Sequence, residues 1–152
     1  MSTTCRVLFV CTGNTFRSLI AEYCLAHFLK TNAISGISVS SAGTVAQPAV
    51  PDPRTIAELN KLGIHVSHRQ RKLTRSLLRE SDLVIAMAKD HQDFIRENFG
   101  ESVPLFLEIT KGIQESVYDG GECPRCESIG GHISETVTLI NSLVGEIPKR
   151  VS

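Results

Sequence analysis

The sequence lacks an excess of charge of either sign, long apolar runs and low-complexity tracts. Its 152 residues include 16 basic and 16 acidic side chains, so the formal net charge is +0. Nucleic-acid-binding proteins normally carry a basic excess, so this balance argues against that class. No apolar run approaches the roughly 20 residues of a membrane span, and no membrane partner is expected. The length and composition predict one globular domain over residues 1–152.

The beginning of the sequence lacks the features of a secretory signal peptide. Met1–Thr4 carries no positive side chain, and the apolar run Val7–Val10 is short. We therefore expect a cytoplasmic protein. In a reducing compartment the five cysteines, an odd number, are predicted to be thiols rather than a disulfide framework.

Short apolar runs alternate with amphipathic segments along the chain. Strands are predicted at Arg6–Val10, Ile37–Ser41, Asp82–Met87 and Val103–Leu107. Helical patterns follow them at Leu19–Leu29, Pro53–Leu62, Lys89–Phe99 and His132–Val144, and a short helix that ends near Glu80 could be capped by Thr74 or Ser76. This alternation predicts an α/β fold with a mostly parallel sheet. The glycine-rich stretch Glu108–Gly131 is predicted to be a long functional loop.

A cysteine and an arginine separated by five residues lie between the first predicted strand and the first predicted helix. Gly13 and Asn14 are residue types that tolerate positive φ, and such a bend turns backbone N–H groups inward around an anion. The helix start adds further N–H groups, and Arg17 adds a planar fork suited to two phosphate oxygens. The segment therefore predicts a phosphate-binding loop made of Thr12, Gly13, Asn14, Thr15, Phe16, Arg17 and Ser18.

Cys11 would lie at the base of this loop, where the positive field favours the reactive thiolate. A thiolate beside a bound phosphoryl group is placed for in-line attack, which gives a cysteinyl-phosphate that water then hydrolyses. Arg17 and the backbone amides would stabilise the transferring oxygens. The chemistry therefore requires no metal ion or other cofactor.

The segment from Val10 to Glu22 resembles the signature of the low-molecular-weight protein-tyrosine phosphatases. Other motifs of that family follow in the same order, at Ser41–Thr44, Pro51–Arg54, Gly63–Ile64, His68–Arg71, Leu73–Thr74, Ala86–Met87, His91 and Ile95. The resemblance implies hydrolysis of phosphotyrosine in protein, or of a small phosphomonoester. The expected architecture is a four-stranded parallel sheet of order 2-1-3-4 with helices on both faces.

The resemblance also implies roles for individual residues. Cys11 is the nucleophile, Arg17 is the phosphate clamp, and the Ser18 hydroxyl donates to the Cys11 thiolate. Asn14 holds the loop in a left-handed conformation. Ser41 and His68 support Asn14 through hydrogen bonds.

The general acid of the family is an aspartate in a late loop, followed by proline. It protonates the leaving oxygen and then activates water. Asp119 lies in the corresponding interval, although Gly120 follows it. Glu122 is the second candidate for this role.

Two features leave the phosphorylated substrate open. Thr12 stands where tyrosine phosphatases of the family often have a bulky aliphatic residue, and protein-arginine phosphatases of the family are similar to this chain in having threonine there. Tyr118 is the only aromatic residue near Asp119, so an aryl ring would lose the stacking that aromatic walls provide. A protein-arginine phosphatase with the same nucleophile is therefore the alternative.

A Cys-x-x-Cys pair, Cys123 and Cys126, is unexpected for this family. The two residues could be ordinary loop cysteines, a redox pair or half of a zinc site with His132. Arsenate reductases share the Cys-Thr-Gly-Asn start, but their additional cysteines come soon after the third strand. The shared start thus leaves an arsenate reductase open as a less favoured alternative. The Cys123 and Cys126 pair leaves open a non-catalytic phosphate-binding or redox module.

Overall fold

The computed structural model describes residues 4–45, 49–118 and 129–151, without the side chains of residues 129 and 130. Its strands are β1 (Cys5–Cys11), β2 (Ile37–Gly43) and β3 (Leu83–Ala86). Its α-helices are α1 (Arg17–Thr31), α2 (Pro53–Lys61), α3 (Arg75–Glu80), α4 (Lys89–Phe99), α5 (Phe106–Lys111), α6 (Ile129–Leu143) and α7 (Pro148–Val151). A 3₁₀ turn, Val144–Glu146, joins the last two helices.

The strands form a parallel sheet with β1 in the centre, in the order β2-β1-β3. Cys11 pairs with Gly43 on one side of β1, and Val10 pairs with Ala86 on the other. The predicted α/β class and the parallel sheet are confirmed. Because all three carboxyl ends meet at one edge of the sheet, the residues that follow them are brought together, as is usual for ligand sites in such folds.

The predicted fourth strand, Val103–Leu107, is wrong, because the sheet has three strands within the described residues. Only a single parallel bridge joins Leu105 to Ala86 at the expected position. Pro104 has no N–H to donate to a ladder, although its carbonyl accepts from the Ala86 N–H at 2.9 Å. The Leu105 N–H donates instead to the Glu108 carboxylate at 3.1 Å, which starts α5 where the strand would have continued.

Side chains of β1 point alternately into two apolar cores, one on each face of the sheet. Val7 and Phe9 lie in the core under α1 and α6, whereas Leu8 and Val10 lie in the core under α3 and α4. All four are almost fully buried. This alternation, which is inherent in strand geometry, confirms that helices cover both faces.

The predicted long loop, Glu108–Gly131, is shorter than expected at both ends. α5 extends to Lys111 and ends at Gly112, whose φ of 74° suits a left-handed helix terminus. α6 begins at Ile129, three residues before the predicted start. Among the described residues, no helix has both the length and the apolar content to cross a membrane.

Candidate active site

The candidate phosphate-binding loop, residues 12–16, joins the end of β1 to the start of α1. Cys11 is the last residue of β1 and is 2% exposed. Arg17, the first residue of α1, is 3% exposed. The loop therefore places the cysteine and the arginine at the same carboxyl edge of the sheet, within the protein rather than on its surface.

Asn14 gives the loop its bend, with a φ of 58° in the left-handed region. The prediction for Asn14 was therefore right, whereas Gly13 does not have a positive φ. Asparagine tolerates this conformation because its short polar side chain can hydrogen-bond locally. The Asn14 side chain is completely buried and acts as a hub for the hydrogen bonds around the loop.

The direction of the hydrogen bonds around Asn14 follows from its chemistry. Its Nδ2 donates to the Ser18 hydroxyl at 2.9 Å and to the Ser41 hydroxyl at 2.8 Å. The Ser18 oxygen thus accepts one hydrogen bond and keeps its own hydrogen, which it donates across 2.9 Å to the Cys11 Sγ when the sulfur is a thiolate and can only accept. The Ser41 hydroxyl in turn donates to the Glu22 carboxylate. One continuous path therefore links Glu22 to the cysteine sulfur.

Glu22 and His68 form the end of this network opposite to Cys11. The His68 Nε2 donates to the Asn14 carbonyl at 2.8 Å, and its Nδ1 lies 4.0 Å from the Glu22 carboxylate. Burial raises the pKa of the Glu22 carboxyl, although the hydrogen bond from Ser41 and the nearby His68 and Arg71 partly offset that effect. The partly buried carboxylate thus accepts a hydrogen bond from Ser41 and lies close to His68, the two residues that contact Asn14.

The loop backbone is also held from the side of β2. The Arg71 N–H donates to the Asn14 Oδ1 at 3.0 Å, and the Gln70 side-chain amide donates to the Gly13 carbonyl. Gly43, at the end of β2, lies so close that an added Cβ would come within 2.5 Å of the Thr12 carbonyl oxygen. A glycine is therefore required where the loop crosses β2.

Arg17 is fixed by two contacts from distant parts of the chain. Its Nη1 donates to the Val117 carbonyl at 2.9 Å, and its Nη2 lies 3.3 Å from the His91 Nε2. Val117 is itself attached to the end of β3, because its N–H donates to the Met87 carbonyl at 2.8 Å. The guanidinium is therefore positioned beside the loop by the segment that follows β3 and by α4.

The N-terminus of α1 contributes to the electrostatics of the loop. Phe16 occupies the N-cap position, and no side chain accepts a hydrogen bond there. The positive end of the helix dipole and the Arg17 guanidinium therefore act in the same place, next to Cys11. Burial raises the pKa of the Cys24 thiol to about 12, so this neighbouring cysteine of α1 is a core residue rather than a second nucleophile.

The structure brings together most of the residues selected from the sequence. Cys11 and the four residues with predicted network roles, Asn14, Ser18, Ser41 and His68, form one connected hydrogen-bond network, and Arg17 directly precedes Ser18 at the start of α1. Thr12, Gly13, Thr15 and Phe16 complete the loop and are partly exposed. The two candidate general acids, Asp119 and Glu122, and the Cys123–Cys126 pair lie outside the described residues.

Sequence reasoning missed the roles of four contributors, namely Glu22, Gln70, His91 and the Val117 carbonyl. Glu22 follows Ser18 by four residues, so helical periodicity places both on one face of α1. His91 lies in a segment that resembles the family, but nothing in the sequence indicates its contacts, and the Val117 contribution is a backbone atom without any signal. Within the described residues, no group of three or more His, Cys, Asp or Glu side chains is arranged to hold a metal ion.

A parallel α/β sheet with a cysteine at the end of β1, a bent loop after it and a buried arginine is the arrangement expected of a cysteine-dependent phosphatase. Comparison with known proteins agrees with this assignment. Residues 6–119 match the family model described as low molecular weight phosphotyrosine protein phosphatase. The chain belongs to this family, and it is a cysteine-dependent protein phosphatase.

Individual relatives carry two different substrate names. A protein-arginine-phosphatase of Bacillus subtilis is 35% identical over 117 residues, which cover 74% of this chain and 77% of the relative. A low molecular weight phosphotyrosine protein phosphatase of Schizosaccharomyces pombe is 37% identical over 91 residues, covering 57% and 58%. A low molecular weight protein tyrosine phosphatase from T. tengcongensis has a solved structure with a TM-score of 0.84 and 29% identity, covering 97% of this chain and 99% of that one.

Proposed function

We propose that this chain, acting as one domain, hydrolyses phosphotyrosine in proteins through a cysteinyl-phosphate at Cys11. The observation that carries the proposal is the contact of 2.9 Å between the Ser18 hydroxyl and the Cys11 Sγ, across which the hydroxyl donates when the sulfur is a thiolate. A donor aimed at the sulfur stabilises the thiolate, the form that attacks phosphorus and also the form that departs when the intermediate is hydrolysed.

Two steps make up the proposed reaction. The Cys11 thiolate attacks phosphorus, the bond from phosphorus to the leaving oxygen breaks, and Asp119 gives that oxygen a proton. Water then attacks the cysteinyl-phosphate, the Asp119 carboxylate takes a proton from the water, and the S–P bond breaks to release phosphate and the thiolate. Arg17, held by the Val117 carbonyl, would bind two phosphoryl oxygens in both steps.

The assignment of Asp119 is supported by its place in the sequence. Val117, two residues earlier, contacts Arg17, so the chain enters the site immediately before this aspartate. Glu122 is the second candidate. Asp119→Asn should lower kcat strongly for substrates with poor leaving groups, with a smaller effect on p-nitrophenyl phosphate, while Glu122→Gln should leave both rates unchanged. The opposite pattern would assign the role to Glu122.

A second candidate function, hydrolysis of phosphoarginine in proteins, is favoured by Thr12. Its Oγ1 lies 2.8 Å from the His91 Nε2, so a polar hydroxyl rather than an aliphatic side chain lies directly after the nucleophile. The Bacillus subtilis relative named protein-arginine-phosphatase supports this candidate. Tyr118 is 47% exposed and directly follows Val117, whose carbonyl holds Arg17; an aromatic side chain at this position supports the phosphotyrosine function.

Side-by-side turnover of p-nitrophenyl phosphate, a phosphotyrosine peptide and a phosphoarginine peptide tests these proposals. The wild-type protein should release phosphate, and Cys11→Ser should abolish multiple turnover while retaining phosphate binding. A similar solved structure, an arginine phosphatase variant with a phosphorylated active-site serine in place of cysteine, supports the use of this control. Full turnover by Cys11→Ser would contradict the mechanism, and the ratio of the two peptide rates decides the substrate.

The chemistry of the cysteines supports a location in the cytoplasm. Among the described residues, Cys5, Cys11 and Cys24 are free thiols rather than disulfides. A thiolate nucleophile is retained where the environment is reducing. We therefore place the proposed activity in the cytoplasm, to be checked by fractionation of the cells that express the protein.

A further inference from the structure

His91 contacts the phosphate-binding loop from α4, the helix that follows β3. It is 1% exposed, and its ring reaches both the Thr12 hydroxyl and the Arg17 guanidinium. We propose that His91 is a positioning residue that fixes the Thr12 hydroxyl as a hydrogen-bond donor to the bound phosphoryl group. This inference rests on the proposed function, because it concerns the same loop and the same reaction.

The position of the proton on the His91 ring follows from a backbone contact. The Ala88 N–H donates to the His91 Nδ1 at 3.1 Å, so Nδ1 is an acceptor and carries no hydrogen. The neutral ring must then carry its hydrogen on Nε2. The Asp90 carboxylate, 3.6 Å from Nε2, favours the same arrangement. A second proton on Nδ1 would face the Ala88 N–H, which opposes the doubly protonated ring.

This tautomer determines what the Thr12 hydroxyl can do. Because Nε2 is a donor, it donates to the Thr12 Oγ1 across 2.8 Å. The Thr12 oxygen accepts there, so its own hydrogen is directed away from His91. Thr12 directly follows Cys11 in the loop and is partly exposed. Its hydroxyl is thus presented as a donor, suited to a phosphoryl oxygen next to the nucleophile.

The His91 Nε2 also lies beside Arg17, the residue that would bind the phosphoryl oxygens. The His91 Nε2 and the Arg17 Nη2 are 3.3 Å apart, so the ring lies directly against the guanidinium. The ring forms a wall beside the guanidinium, while the Val117 carbonyl holds Nη1. His91 therefore sets the relative positions of the two groups that meet the phosphoryl oxygens, Thr12 and Arg17.

If the role of His91 were purely structural, it would depend only on the other ring nitrogen, Nδ1. Nδ1 accepts the Ala88 N–H at the start of α4, which is the usual position for a helix-capping side chain. The two roles can be separated because the amide oxygen of asparagine lies near the place of a histidine Nδ1, whereas the amide nitrogen of glutamine lies near that of Nε2. His91→Asn keeps the cap and loses the contact to Thr12, and His91→Gln keeps the donor to Thr12.

The test measures kcat and KM of the full chain for the substrate that the turnover experiment selects. We expect His91→Asn to lower kcat by about tenfold, the effect of one hydrogen bond, and His91→Gln to recover most of it. KM should change less than kcat. In a Thr12→Val background, His91→Asn should have little further effect. His65→Asn is the control, because that histidine is exposed and lies outside the loop. Equal rates for His91→Asn and wild type would overturn the proposal, as would His91→Gln being the less active variant.

Binding of inorganic phosphate separates this inference from the proposed function. If the wild-type protein shows no Cys11-dependent turnover, the proposed function fails, but the inference still predicts tighter phosphate binding by His91→Gln than by His91→Asn. Nitrogen NMR of the histidine ring should show the Nε2–H tautomer in the wild-type protein. An Nδ1–H tautomer, or equal phosphate affinity in both variants, would overturn the inference whatever the turnover.

Discussion

The side-chain nitrogen of Asn14 lies 2.9 Å from the hydroxyl oxygen of Ser18, so the serine accepts there and keeps its own hydrogen for another partner. A Cys11 thiolate carries no hydrogen, so across the contact between the two residues Ser18 donates to the sulfur. The left-handed φ of 58° at Asn14 is what brings its side chain into the loop. The environment of the nucleophile thus depends on a backbone conformation three residues away.

Ser18→Ala should slow catalysis while leaving the fold intact. Hydrogen bonds to charged groups contribute about 1.5–3 kcal/mol, so kcat should fall roughly 10- to 100-fold. Alkylation of Cys11 by iodoacetate should slow as well, because the thiolate loses the hydrogen-bond donor that stabilises it. Ser76→Ala, at an exposed position on α3, is the matched control. An unchanged alkylation rate in Ser18→Ala would show that this hydrogen bond does not act on the thiolate.

Gly43→Ala should distort the phosphate-binding loop, although Gly43 itself lies at the end of β2. The added Cβ would lie 2.5 Å from the Thr12 carbonyl oxygen and 3.0 Å from the Asn14 nitrogen, and both are backbone atoms. Backbone atoms cannot rotate away, so we expect a loss of about 1–3 kcal/mol of unfolding free energy together with most of the activity. Urea denaturation and phosphate release measure the two effects. Ser38→Ala, exposed on the same strand, should change neither.

Local chemistry explains which parts of the fold and site could be predicted from the sequence. The loop from Cys11 to Ser18 is contiguous, so its nucleophile, bend and arginine could be read together. The prediction of a fourth strand was wrong because the Leu105 N–H could donate either to the sheet or to the Glu108 side chain, and it donates to Glu108. The role of His91 was missed because it acts through contacts across 74 or more positions of sequence, which no local pattern reveals.

Glu22→Gln should change the pH dependence of stability. Burial raises the pKa of the Glu22 carboxyl, so between the unfolded and folded pKa values the folded protein binds more protons than the unfolded chain. The stabilisation is fully present below the unfolded value of about 4.5, and it is lost as the pH rises through the folded pKa. Glutamine does not titrate, so the wild-type protein should lose unfolding free energy relative to Glu22→Gln as the pH rises above about 4.5.

Urea denaturation at each pH unit from 4 to about 8 measures this difference. Glu101→Gln, at an exposed position, is the control for the general effect of removing a carboxylate. A stability difference between wild type and Glu22→Gln that stays constant over this range, or that grows in favour of the wild type, would contradict the prediction.

Ala33 is a strained residue that lies beyond the end of α1 opposite to Arg17. Its φ is 54°, although it has a Cβ, and its N–H donates to the Lys30 carbonyl in the turn that ends the helix. An L-residue in this region costs roughly 1–2 kcal/mol, whereas glycine adopts it without strain. Ala33→Gly also increases the entropy of the unfolded chain, which offsets about 0.4–1 kcal/mol. We expect a net gain of about 0.5–1 kcal/mol in unfolding free energy.

The matched control for Ala33→Gly is Ala26→Gly, an exposed position inside the same helix. There the backbone is helical, so glycine brings no relief of strain and should cost about 1 kcal/mol. The same chemical change should therefore have opposite signs at two positions seven residues apart, with unchanged kcat at both, because neither side chain belongs to the loop around Cys11. A loss of stability at both positions in urea denaturation would show that Ala33 is not strained.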